Sequence, residues 1–226
     1  MTANHILTII SIMITIACYM FSRKISLRFT HPLTTPIFTS TILIIFAFLL
    51  FNISYKDYSV AHQLITYWLG PATVALALPL YQHRKTLQKH FIPVLFGGAA
   101  GSMASIFSAI YLAKIFHLSK EIVNALTVKS VTTPVAVEVG KVIDADATII
   151  AIMVILTGIF GAMFGGIFLA IVKVQHPVAK GLSFGVIAHG IGTAQAIKEG
   201  QIEGAVSGVA MALSAIITAM IIPLFY

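Results

Sequence analysis

Apolar runs long enough to cross a bilayer recur along this chain, with almost no charge inside them. The first, "HILTIISIMITIACYMF", begins at His5, and comparable runs lie near 36–52, 91–116, 147–173 and 204–225. The hydrocarbon core of a membrane takes about 20 residues of helix to cross. A soluble fold is excluded: 58% of the 226 residues are hydrophobic and 9% are charged, against roughly 25% charged in soluble domains. The expected fold is all-α, a polytopic membrane helix bundle of about eight segments, formed as a single membrane domain over 1–226.

The net charge of +7 would suggest nucleic acid in a soluble protein. Here the basic residues fall in the loops between spans, where they set orientation, so no nucleic-acid partner is expected. Arg23, Lys24 and Arg28 follow the first run, and no small-residue cleavage pattern does. That reads as a retained first span with its C-terminal end in the cytoplasm. If every later segment crosses, Arg23, Lys24, Arg28, Arg84, Lys85, Lys89, Lys141 and Lys198 share one side. Lys56, Lys114, Lys120, Lys173 and Lys180 share the other. This distribution favours both termini outside the cell membrane. Cys18 is the single cysteine, which excludes an intrachain disulfide and a four-cysteine metal site.

Two plain spans occupy 1–60. From 61 to 226 the chain settles into a rhythm of a short broken segment, a polar loop and a long apolar helix. The breaks fall at Gly70-Pro71 in "ITYWLGPATVALALPLY", before Pro134 in "LTVKSVTTPVAVEVG", and at Gly190 and Gly192 in "LSFGVIAHGIGTAQA". Each long helix carries two glycines four apart: Gly97 and Gly101, Gly161 and Gly165, Gly204 and Gly208. Glycines at that spacing share a helix face and let backbones approach closely, which suits packing within a bundle.

An interrupted span is costly in hydrocarbon unless it lines a wet, protein-enclosed cavity, and broken helices near the midplane point to a transporter's binding site. The second break carries Lys129, Ser130, Thr132 and Thr133, with Pro134 suited to the first helical position and Thr133 to the N-cap. Free N–H groups at a half-helix N-terminus, hydroxyls and an ammonium together suit a small carboxylate. Glu138, one turn beyond Pro134, is placed to face the same cavity and take up a proton. The third break brings His189, Gly190, Gly192, Thr193 and Gln195, and His189 is a second candidate for proton coupling. Plainer readings stand beside these. Lys129 would snorkel to an interface, Glu138 would mark a helix end near Lys141, and His189 would pack against a backbone carbonyl. The first break, at Pro71, offers only Thr73 and reads as a kink.

Enzymatic motifs are weak. "GLSFG" matches GxSxG, but the motif needs a strand–turn–helix elbow and a partner base. No histidine pair sits at i, i+4, and no GxxxxGK[ST] is present. Asp144 and Asp146 read as solvated loop residues. No catalytic residue, metal or cofactor is expected, and the chain reads as a secondary system rather than an enzyme.

The ordered stretches "KSVTTPVAVEVG", "GIFGAMFG" and "AKGLSFGVIAHGIGTAQA", with "PATVALALPLYQHRK" in the first half, resemble the LrgB/CidB family. The resemblance runs over nearly the whole chain and is carried most strongly by Lys129 to Pro134 and by Ala179 through His189 to Ala196. It implies two functions. Bacterial members are known as antiholin-like or autolysis-modulating proteins acting with a small LrgA/CidA-type membrane partner. The related plastidal proteins look like glycolate/glycerate translocators, and some bacterial pairs are linked to pyruvate. The resemblance implies a plasma-membrane location, a separate small partner and, for the residues above, a small carboxylate substrate. A homo-oligomer is compatible with either function.

Overall fold

The computed structural model describes residues 3–29 and 31–225. It is helical, with no strand among the described residues, and divides into two compact units, Met1–Ala75 and Leu76–Tyr226. By length and composition, His5–Arg28, Tyr55–Gln82, Phe91–Ile115, Ala147–Ile171 and Gln201–Phe225 can each cross a membrane. The protein is an all-α membrane helix bundle.

The first unit holds α1 (Ala3–Arg28), a short 3₁₀ turn (Pro32–Thr34), α2 (Pro36–Leu50), α3 (Tyr55–Tyr67) and α4 (Leu69–Ala75). Ser54 starts α3 with a reciprocal cap: its hydroxyl accepts from the Asp57 N–H, and Asp57 accepts from the Ser54 N–H, both at 3.2 Å. Pro71 interrupts its helix less than the sequence suggests. Proline has no N–H to bond the Tyr67 carbonyl, yet only Trp68 leaves the helix, with angles still near helical (φ −74°, ψ −7°). The predicted break at Gly70-Pro71 is therefore a one-residue offset lying three residues before the proline.

The second unit comprises α5 (Ala77–Gln82), α6 (Arg84–Lys89), α7 (Phe91–Ile115), α8 (Lys120–Thr127), α9 (Thr133–Val142), α10 (Ala147–Ile171), α11 (Pro177–Glu199) and α12 (Gln201–Phe225). α11 reverses at His189, whose φ of 42° and ψ of −134° lie outside the helical region. Glu199 follows Lys180 by nineteen residues, which a straight helix would spread over about 28 Å. Yet Lys180 Nζ lies 3.8 Å from Glu199 Oε2. Gly192 sits against the Phe184 carbonyl and Ala188, where a Cβ would have no room, so residues 177–188 and 190–199 fold back on each other as two arms.

α8 and α9 repeat the manoeuvre. Asn124 and Ile143 are also nineteen residues apart, and Asn124 Nδ2 donates to the Ile143 carbonyl at 2.7 Å. The chain goes in along α8, turns over residues 128–132 and returns along α9. The second and third broken segments therefore each fold back to the end of the unit at which they start, and the two-sided tally of basic residues made for crossing segments does not fit this topology. α10 runs from the foot of the first hairpin, where Gly140 meets Ile150, to the foot of the second, where Gly166 meets Glu199. The hairpins thus enter from opposite ends of α10.

The paired glycines hold the second hairpin. Gly97 and Gly101 of α7 face Leu182 and Val186, while Gly161 and Gly165 of α10 face Ala188 and Phe184. Gly204 faces Ile197, and Gly208 faces Leu80 of α5. The first hairpin supplies most of the main core, in which Val128, Val131, Ala136 and Val139 pack with Ile106, Ile150, Val154 and Ile222.

Candidate functional site

The tip of the first hairpin is a turn made of polar groups around one cation. Lys129 Nζ donates to Ser130 Oγ and to Ser105 Oγ of α7, each at 3.1 Å, and the two hydroxyls lie 2.7 Å apart. Ser105 and Ser130 are buried and Lys129 is half-buried. Among the described residues no carboxylate pairs with Lys129, so this ammonium is held by hydroxyls alone. An ionised side chain inside a membrane ordinarily has a charged or strongly polar counterpart. α9 starts one residue earlier than the sequence suggests. The first intrahelical bond, from the Ala136 N–H at 2.8 Å, goes to the Thr132 carbonyl, which makes Thr132 the N-cap in place of Thr133. Its side chain caps nothing. Pro134 is tolerated at the second helical position because donors in the first turn have no intrahelical partner in any case.

The tip of the second hairpin is His189 itself, not the glycines that follow it. Neither Gly190 nor Gly192 has a positive φ; the left-handed residue is the histidine. Two bonds fix it. Its Nε2 donates to the Val154 carbonyl of α10 at 3.0 Å, and its carbonyl accepts from Thr193 Oγ1 at 2.9 Å. Gly158, one turn beyond Val154, leaves the space that the imidazole fills. Thr193 Oγ1 also lies 2.9 Å from Ser207 Oγ of α12. His189 and Thr193 are buried at 4% and 0% exposure.

The two tips converge on the same stretch of α7 and α10. Gly101 of α7 faces Val186, three residues before the turn of the second hairpin. Ser105, four residues or about 6 Å further along, holds the tip of the first. Val154 packs its side chain with Val128 and Val131 while its carbonyl accepts from His189. Ser102 lies between those levels on α7, 1% exposed, and its hydroxyl has no hydrogen-bond partner. A buried hydroxyl left unpaired costs about 1–3 kcal/mol, and this one is on the same helix face as Ser105.

Other candidates lie elsewhere. Glu138 is exposed and bonded to Lys141 at 2.7 Å, away from the Lys129 hydroxyls. Gln195 bonds Glu199 at the foot of the second hairpin. Thr133 is half-buried and Pro134 exposed at the start of α9, and Pro71 belongs to the N-terminal unit. Asp146 caps α10, accepting from the Thr148 and Ile149 N–H groups. Sequence reasoning missed Ser102, Ser105 and Ser207. The first two carried a signal, since hydroxyls at 102, 105 and 108 recur at helical spacing in an apolar run.

Residues 15–226 match the LrgB-like family. The chain belongs to the LrgB-like family. This LrgB-like chain is 33% identical over 210 residues to the uncharacterized protein YwbG of Bacillus subtilis (strain 168), covering 93% of each. It is 33% identical to the antiholin-like protein LrgB of the same strain, over 85% of this chain and 84% of the relative. With the holin-like protein CidB of Staphylococcus aureus (strain N315) it shares 29% identity over 99% of each chain. No solved structure matches it.

Proposed function

We propose that this LrgB-like protein is a secondary transporter of small monocarboxylates of the glycolate, glycerate or pyruvate type. The observation that carries the reading is Lys129, a cation at a re-entrant tip with hydroxyls and no carboxylate around it. An anionic substrate supplies the missing counter-charge. Its carboxylate takes up the ammonium and the hydroxyls of Ser130 and Ser105, and Ser102 offers a further donor. The N-terminus of α9 points its first free N–H groups at the same tip. Opposite stand His189 and Thr193 on the second hairpin. Because the hairpins enter from opposite ends of α10 and their tips converge on the same stretch of α7 and α10, withdrawing either one exposes the site to its own side only, which is the geometry alternating access needs. The proton-coupling roles first assigned to Glu138 and His189 differ in support: His189 lies at the tips, Glu138 does not.

The folded-back hairpins also change the orientation argument. Within the second unit, Arg84, Lys85, Lys89, Lys173, Lys180 and Lys198 now fall at one end, and Lys114, Lys120 and Lys141 at the other. Six against three replaces the five against four that crossing segments would give, and basic residues mark the cytoplasmic side. We therefore assign the protein to the cell membrane with its C-terminus outside, and the residues flanking α1 favour the same for the N-terminus.

A second reading is that of a holin-like or antiholin-like modulator of autolysis working with a small LrgA/CidA-type partner. It is favoured by the names of two relatives, the antiholin-like LrgB and the holin-like CidB. Reconstitution separates the two. The purified protein is placed in liposomes, with and without the small partner, and uptake of labelled glycolate, glycerate and pyruvate is measured. Saturable uptake, competed by other short carboxylates and lost in Lys129→Ala, is the transporter result. Leakage of unrelated dyes without carboxylate uptake is the pore result and ends the transport reading.

A further inference from the structure

Two lysines stand at the mouth of an apolar cleft on the face where the first hairpin enters. The cleft has a volume of about 630 Å³ and lies between α7, α8 and the end of α12, within the range of small-molecule sites. Its walls are Ile106, Ile110, Val123 and Ile222, and its polar groups, Lys114, Lys120 and Asn124, sit toward one end. Lys114 is in the last turn of α7 and Lys120 opens α8. Both are at helix ends, and Lys114 lies at the end of the apolar span Phe91–Ile115. Ile106 lies eight residues deeper along α7 than Lys114, about 12 Å into the hydrocarbon. The cleft is thus cationic at the headgroup level and greasy below it. Asn124 is not free to serve a ligand with its amide nitrogen, which is bonded to Ile143.

Lysine at the first position of a helix is poorly placed, because the N-terminal end of the helix dipole repels a cation. Ser119, the N-cap of α8, makes no side-chain cap. Glu121 stands in that first turn but does not line the cleft, so Lys114 and Lys120 present their charge to the cleft mouth with no carboxylate among its lining residues. We infer that the cleft binds an anionic phospholipid, its phosphate on Lys114 and Lys120 and one acyl chain along Ile106, Ile110 and Ile222. The commitment to a lipid, over a free anion, rests on the apolar floor beneath the lysines. Juxtamembrane lysines attract anionic lipid headgroups. The site sits directly beside the first hairpin: Ile106 adjoins Ser105 in sequence, and Val123 and Asn124 belong to the hairpin's entering arm. The inference does not depend on the protein's being a transporter.

The test is thermal unfolding of the purified protein in neutral detergent, with phosphatidylglycerol, phosphatidylcholine or inorganic phosphate added. Phosphatidylglycerol is expected to raise the midpoint by about 5 °C at saturation, phosphatidylcholine by clearly less, and phosphate not at all. Lys114→Gln with Lys120→Gln removes the phosphatidylglycerol increment, and Lys173→Gln, at the other end of α10, keeps it. Ile110→Trp, which fills the cleft and leaves both lysines, also removes it, so a double variant that fails to fold does not end the test. Equal stabilisation by the two lipids, an increment with phosphate alone, or an increment that survives Ile110→Trp overturns the inference.

Discussion

At the scale of the residue, Lys129 and His189 make opposite demands on the fold. Lys129 is a charge the hairpin would be as stable without: it is half-buried with no carboxylate partner among the described residues, and taking a charge out of water without a counter-charge costs stability. Lys129→Met is therefore expected to leave the thermal midpoint unchanged or higher, since Ser105 and Ser130 still bond each other. The same change should lower carboxylate uptake roughly 10–100-fold, the worth of charge-assisted hydrogen bonds of about 1.5–3 kcal/mol. A variant that folds better and transports worse would mark Lys129 as kept for function; equal uptake would remove it from the site. His189 is the converse case. Its φ of 42° is strained for any residue but glycine, at about 1–3 kcal/mol, and its ring repays part of that through Val154. His189→Ala loses the bond and keeps the strain, while His189→Gly loses the bond and relieves it. The glycine variant should unfold about 1 kcal/mol later than the alanine variant, which parallel denaturation curves would show.

At the scale of the element, close backbone approach decides how the second hairpin is held. Gly185 faces the Ser207 carbonyl and Ala210 of α12, so a larger residue must push the helices apart. Gly185→Val should cost about 1–3 kcal/mol. Gly70, with nothing within 4 Å of the position its Cβ would take, should accept alanine at no cost, and thermal unfolding of both variants tests the contrast. The glycine pairs four apart on α7, α10 and α12 were legible in the sequence, and so was the polar tip at Lys129, because charge and hydroxyls in an apolar run have few other uses. The reversal of direction was not legible. A segment of 23 residues such as α11 is long enough to cross, and only the long-range contacts of Lys180 with Glu199 and of Gly192 with Phe184 show that it does not. Glycine's permissiveness suggested a turn at Gly190 and Gly192; the turn fell instead on the residue whose side chain had a carbonyl to hold it. Pro71 misled in the other direction, since one missing hydrogen bond shifts a helix by a residue without folding it back.

For the second unit taken whole, the two hairpins and α10 fix which loops share a side, and that is open to direct labelling. In a Cys18→Ser background the chain has no cysteine, and single cysteines can be placed at exposed positions flanking each hairpin. Ser119→Cys and Val142→Cys flank the first; Gln175→Cys and Gln201→Cys flank the second. If both hairpins re-enter, a membrane-impermeant maleimide applied to intact cells labels Ser119→Cys and Val142→Cys alike, and reaches Gln175→Cys and Gln201→Cys only after the cells are opened. If α8 and α9 crossed as one span, Ser119→Cys and Val142→Cys would label from opposite sides. If α11 crossed, Gln175→Cys and Gln201→Cys would be split in the same way. The experiment also reads orientation, because the basic end with Arg84, Lys85, Lys89 and Lys173 is expected inside. An inverted result, with Gln175→Cys and Gln201→Cys labelled on intact cells, would keep the hairpins and reverse the membrane assignment. Hairpins entering from opposite sides are what would allow the proposed carboxylate site at Lys129 to be reached from either face in turn, so a split label at either hairpin would remove the structural basis for alternating access.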